Sequence, residues 1–356
     1  MARAEVFDPA EIAVVHVMAR TVRRCFLLGA DPVSRKNFDH RRDWIEIKLQ
    51  HLAATMGIDL LGFALMSNHF HLVLRSRPEV VETWNDEEVA RRWLVLCPLR
   101  KIRTSDNNSD EYIAAEPTTA ELNAICKNPI RLAQVRRRLS DISWWMRLLC
   151  QHIAQRANRE EGGGLGKFWQ SRFKAIRILD EATLLACSAY VDLNPIRAAM
   201  AQSLEDSQHT SAKHRFESIE QQAQGVESAT CSDGFLAPVC VDEVHDPIGP
   251  HPSSRFPRCS DKGFLSMSAL EYLQLLDWTA RQVRPDKPGS TPDDLPPILD
   301  RLRLEPKIFT DQVRLFGRMF SAAAGQPQTL SDARSLRTHR RYYVRPLART
   351  VFATAG

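Results

Sequence analysis

The order of extended and helical segments predicts an α+β fold: an antiparallel sheet with helices on one face, followed by a mainly helical C-terminal extension. Three observations carry this reading. A β-branched run lies near the N-terminus, a helical pattern then leads into two consecutive apolar extended runs, and a further alternating run precedes a capped helix near residue 180.

Residues 12–18, IAVVHVM, are β-branched and read as the first strand, leading to the basic positions Arg20, Arg23 and Arg24. Over 41–56, Trp44, Ile45, Ile47, Leu49, Leu52 and Ala53 recur at roughly helical spacing until Gly57 ends the run. Residues 58–64 form a second strand that runs into a third at 66–74. This β-α-β-β order is that of a ferredoxin-like sheet. Periodicity weakens over 77–140, where polar patches such as 104–110 separate short helical stretches, so the segment reads as an insertion.

Residues 140–159 read as a stronger helix, with Ser140 or Asp141 as its N-cap and Trp145, Leu148, Leu149 and Ile153 on its apolar side; glycines 162–164 end it. Residues 168–178 alternate and read as the last strand, after which Asp180 caps a helix through Tyr190. A Ser-, Gln-, Glu- and Pro-rich linker is expected over 203–262, between a domain at 1–202 and a helical module at 263–356 with helices over 266–283 and 297–324.

A chain of 356 residues that is 44% hydrophobic has material for roughly two domains with real cores. Its net charge of +5 permits a polyanionic partner without demanding one. No apolar run approaches the ~20 residues that span a bilayer, and MARAEVFDPAE carries acids where a signal peptide needs an apolar stretch, so a cytoplasmic protein is expected. The eight cysteines are scattered without a CxxC pair, as reduced structural thiols are.

The stretch richest in chemistry is MSNHFHLVL, residues 66–74. On a strand, His69 and His71 project to one face while Phe70, Leu72 and Leu74 enter the core. A rise of ~3.3 Å per residue sets the two histidines about 6.6 Å apart, close enough for their rings to share one ion. Taken alone, such a pair is more often structural. A histidine-triad nucleotide hydrolase would carry a third alternating histidine where this chain has Val73, and a cupin would carry a nearby glutamate and jelly-roll strands. Further along, Tyr190 and Asn194 lie four apart, which on a helix puts them on one face, although Pro195 pushes Asn194 toward the helix end.

Together, MSNHFHLVL, FWQSRFK (168–174) and YVDLNPIRA (190–198) resemble the HUH-type single-tyrosine transposases, named for the histidine-hydrophobic-histidine triplet, and in particular their REP-associated branch. VRRCFLLG, FDHRRDW and LEYLQLLDWTARQVRPDKPG resemble a longer bacterial subgroup of that branch. The resemblance runs from about residue 10 to residue 200, and it implies a ferredoxin-like catalytic domain with His69 and His71 as metal ligands, Asn194 as a third ligand and Tyr190 as nucleophile. It further implies Mg²⁺ or Mn²⁺ as cofactor, single-stranded DNA with hairpin or palindromic ends as partner, and a homodimer. The implied reaction is DNA strand cleavage and rejoining through a 5′-phosphotyrosine link. The long interval between His71 and Tyr190 and the long C-terminal extension depart from compact members.

Arg20, Trp169, Arg172, Lys174 and Arg197 are candidates for DNA contact, supplying charges for phosphates and a ring for stacking. Packing and ion pairing compete for the same residues. Arg136–Arg138, the adjacent Tyr342 and Tyr343, and the basic stretch 337–345 are weaker candidates of the same kind, the last within the C-terminal module. A DNA-binding regulator that has lost cleavage, and a metal-dependent phosphohydrolase, remain alternatives.

Overall fold

The computed structural model describes residues 8–22, 25–103, 112–162, 166–227, 230–241, 249–283, 299, 305–336 and 345–353. Arg23, Arg24, the patch 104–110 and the stretch 337–344 with its two tyrosines lie outside the described residues. The fold is α+β, built on one five-stranded sheet. Strand β1 (Val14–Arg20) is central, pairing antiparallel with β3 (His69–Ser76) on one side and β6 (Lys174–Ile178) on the other. Strand β2 (Ile58–Leu65) pairs antiparallel with β3, and helix α1 (His40–Thr55) links β1 to β2. The order β2-β3-β1-β6 is the ferredoxin-like one.

Strand alternation sorts the side chains between two cores. Val15, Val17, Phe70, Leu72 and Leu74 face α1 and α6 (Ile142–Glu160), meeting Ile45, Leu49, Trp145 and Leu149. The opposite face carries Val73, Ile176 and Ile178, which meet α7 (Glu181–Asp192), α10 (Ala269–Val283) and α11 (Pro306–Met319) through Leu185, Ala189, Leu276 and Phe316. Helix α7 and the helical C-terminal extension thus cover the face that α1 and α6 leave open. Among the described residues no helix is long and apolar enough to cross a membrane.

Between β3 and α6 the chain forms α2 (Pro78–Thr83), α3 (Asp86–Leu96), the hairpin β4 (Lys101–Arg103) and β5 (Tyr112–Ala114), α4 (Thr119–Cys126) and α5 (Pro129–Leu139). Asp141, one of the two expected caps, accepts from Ser143 N at 2.7 Å and starts α6. Within 203–262, Ser211–Ala223 forms helix α9, and the end of the segment is tied to the sheet by a buried cluster. There Asp59 accepts from Arg75 Nε at 2.9 Å, Arg77 Nη1 at 2.8 Å and Ser260 Oγ at 2.8 Å, while Arg75 also donates to the carbonyls of Lys262 and Gly263.

Two elements differ from the sequence reading. The strand expected over 168–178 is interrupted: Trp169 still bridges Thr21 antiparallel, with Gln170 N donating to Arg20 O at 2.8 Å, but the residues between Trp169 and Lys174 bulge out and regular pairing holds only over Lys174–Ile178. The helix expected over 297–324 ends at Met319, and Ala323–Ala324 forms β7, parallel to β6. Alanine favours helix, but the open edge of β6 offers unpaired backbone groups, and Arg177 N and Leu179 N take the carbonyls of Ala322 and Ala324.

Candidate active site

The histidine face of the sheet and helix α7 meet at one place. Met18 is the cross-strand partner of His71 and Arg20 that of His69, so His16, Arg20, His69 and His71 all project from the same face. Helix α7 is started by Asp180, whose Oδ1 accepts from Thr183 N at 2.8 Å while its Oδ2 accepts from Gln326 N at 2.7 Å. One carboxylate therefore fixes both the tyrosine helix and the segment just after β7. The helix lays the Tyr190 ring edge-on to His71, with centroids 5.4 Å apart, and to His16 at 5.9 Å.

Both imidazoles have a partner for Nδ1. His71 is 1% exposed, and its Nδ1 lies 2.8 Å from His16 Nε2; His69 Nδ1 lies 2.6 Å from Asn68 Oδ1. With both Nδ1 atoms engaged, the Nε2 atoms remain for an ion, and such second partners are what orient metal-binding histidines. Burial pushes His69 down to about 4, with Arg20 adding to the effect, and pushes His71 well below 6.5, followed by His16, His69, Arg197 and Arg20. Both rings are thus neutral at physiological pH, the state that ligates. Their centroids are 5.0 Å apart. Among the described residues no group of three or more His, Cys, Asp or Glu could hold a metal ion.

The sequence expectation placed Asn194 at the end of the tyrosine helix. Instead α7 ends at Asp192, and Asn194 opens a separate turn, α8 (Asn194–Arg197), where Pro195 occupies a first-turn position that needs no N–H. Asn194 is 8% exposed, with its Nδ2 lacking a hydrogen-bond partner. Burial pushes the Tyr190 phenol up, with Cys187 adding to the rise, and the nearby Arg197 charge opposes it. The Arg197 Cζ sits 4.8 Å from the Tyr190 ring centroid and Arg197 Nη2 donates to Arg314 O at 2.7 Å, while Nη1 is buried without a partner. Arg20 Nε is likewise buried and unpartnered. Two guanidiniums, those of Arg197 and Arg20, add positive charge beside His71.

Helix α11 closes the site. Phe316 stacks on Tyr190 at 5.4 Å, and a Cβ on Gly317 would lie 3.1 Å from the Tyr190 hydroxyl. Of the DNA-contact candidates, Arg20 and Arg197 join the histidines, and Lys174 is exposed on the same face opposite Met18. Trp169 and Arg172 do not: Trp169 packs edge-on to Phe70 on the other face and, with Arg172, lines a separate cleft. In the basic run, Arg136 is held by the carbonyls of Val81 and Trp84 and by Asp86. Sequence reasoning missed His16. Its one signal was a histidine inside a β-branched strand, which means little until the register with β3 is known.

No family model and no curated protein matches this chain. A solved structure of a REP-associated tyrosine transposase bound to a REP hairpin is similar at a TM-score of 0.32 and 11% identity, over 60% of this chain and 82% of that one. So distant a likeness assigns no residue a role.

Proposed function

We propose that this protein is a metal-dependent DNA strand transferase that cleaves and rejoins single-stranded DNA through Tyr190, acting beside hairpin or palindromic sequence. The observation that carries it is the contact between Tyr190 and His71, which brings a phenol against a pair of neutral imidazoles from a distant part of the chain. His69 and His71, with Asn194 as third ligand, would hold Mg²⁺ or Mn²⁺. When bound, that ion supplies Lewis-acid polarisation of the phosphate.

The chain's own residues account for the rest. Tyr190 Oη attacks phosphorus and loses its proton, the P–O3′ bond breaks, and the departing 3′ oxygen gains a proton; the strand is left joined through a 5′-phosphotyrosine. An ordinary phenol, with a pKa of ~10, is about one part in a thousand ionised at neutral pH, and burial makes Tyr190 a weaker acid still. Arg197 and Asn194 counter this by stabilising the phenolate where it forms. Arg20 and Arg197, each with a buried unpartnered N–H, are poised to donate to phosphate oxygens. Because the covalent link keeps the ester's energy, attack by a 3′-hydroxyl restores a phosphodiester, a reversal that hydrolysis would forfeit.

Incubating the full chain with single-stranded hairpin oligonucleotides and Mn²⁺ should yield an adduct stable to denaturing electrophoresis. Tyr190→Phe should abolish it. Cleavage that persists in this variant, or product released without any protein-linked intermediate, overturns the reading in favour of a hydrolase.

A further inference from the structure

On the face of the sheet opposite the histidines lies a cleft of about 460 Å³ between the first turns of α6 and the 169–173 segment. Its walls carry Trp144, Arg147, Trp169, Arg172 and Phe173, and no acid lines it. The Arg138 and Arg147 guanidinium carbons lie 4.4 and 4.7 Å from the Trp144 ring centroid. Among the described residues none of Arg138, Arg147 and Arg172 is paired with a carboxylate, although Arg131 and Arg147 crowd Arg138 closely enough to add to the lowering that its burial causes. Like charges held together around aromatic rings, without counter-ions, mark a surface built for a polyanion that also presents flat rings. A core-packing role is already met on the inner side of Trp169, whose Nε1 donates to Cys150 O at 2.8 Å.

We infer that this cleft binds an unpaired nucleobase of a single strand, with Arg138, Arg147 and Arg172 on its flanking phosphates. A base entering here meets the rings of Trp144, Trp169 and Phe173, which line the cleft with Arg147. Trp169 bridges Thr21, the residue after Arg20, so the cleft opens beside the end of β1 from which Arg20 reaches the histidine face. A strand passing over that end would engage both faces of the sheet. The inference goes beyond strand transfer and shares with it only the class of ligand.

The test uses the full chain carrying Tyr190→Phe, in EDTA, so that neither cleavage nor metal enters the result. Fluorescence anisotropy of labelled oligodeoxythymidylate is compared with that of the equivalent abasic oligomer. The parent should prefer the thymidylate by roughly tenfold or more, as one stacked base provides, and Trp144→Ala should erase most of that preference while Trp144→Phe keeps it. Arg147→Glu and Arg172→Glu, both at exposed positions, should weaken both oligomers and each lower the log–log salt slope by ~0.7. Equal affinity of the parent for both oligomers, or a preference untouched by Trp144→Ala in a protein with unaltered circular dichroism, overturns the inference. So does a loss of self-association in the same variants without a loss of DNA binding, which would assign the cleft to a second copy of this chain.

Discussion

His16 and His71 come from neighbouring strands and lie with nearly parallel rings, His16 Nε2 being 2.8 Å from His71 Nδ1. The remaining nitrogen of His16, Nδ1, is buried without a partner. If His71 donates from Nδ1 to His16, whose own proton then sits on Nδ1, His71 Nε2 is free to ligate and His16 is its positioning residue. Removing His16 should then weaken metal-dependent adduct formation about 10- to 100-fold, the range typical of such outer partners. A titration of adduct yield against Mn²⁺ should shift to higher concentration in His16→Ala while DNA affinity in EDTA holds. An unshifted titration would show that His71 needs no such support.

Gly317 faces the Tyr190 hydroxyl at a distance tighter than ordinary van der Waals contact once a methyl is added. Replacing a glycine inside a helix by alanine ordinarily stabilises by up to about 1 kcal/mol. Gly317→Ala should therefore melt no lower than the parent, yet form adduct more slowly because the hydroxyl is displaced. Parallel thermal unfolding and single-turnover adduct assays separate the two effects, and unchanged adduct kinetics would mean that α11 moves aside before reaction.

The buried Asp59 holds two guanidiniums and the Ser260 hydroxyl at the end of β2. Asp59→Ala leaves both cations unpaired and should cost about 3–5 kcal/mol in urea unfolding. The exposed Asp43→Ala serves as a control, expected within about 0.5 kcal/mol of the parent. Equal midpoints for the two variants would show that the cluster contributes nothing.

Glu46 accepts from His209 Nδ1 at 2.9 Å and from His214 Nε2 at 2.7 Å, tying α1 to α9 and the residues before it. Burial pushes this carboxyl up, but the two histidine hydrogen bonds outweigh it and hold it at about 2, against an ordinary 4.5. Its contribution is complete above pH 4.5 and disappears as the pH falls from 4.5 through 2, up to about 3 kcal/mol. Acid unfolding followed by circular dichroism should show a shallower loss over that interval in Glu46→Gln. A profile parallel to that of the parent would contradict the assignment.

What was legible in the sequence was local. The alternation of Phe70, Leu72 and Leu74 foretold which side of β3 meets the core, and Asp180 announced the helix that carries Tyr190, because strand period and capping act within a few residues. What escaped depends on pairing between distant segments. His16 reaches His71 only because Met18 stands opposite His71, and the break between Trp169 and Lys174 emerges only once Thr21 and Met18 pair with them. The alanines at 323 and 324 carry no strand signal of their own; the waiting edge of β6 makes them one.

That late pairing bears on how the chain is made. Emerging from a ribosome, β1, β3 and β6 can assemble long before Ala323 and Ala324 appear, and during that interval the flank of β6 stands bare, a template for the wrong neighbour. Sealing it must wait until Ala323 and Ala324 have emerged, so a chain stopped before them would keep its tyrosine and its histidines but be prone to join others edge to edge.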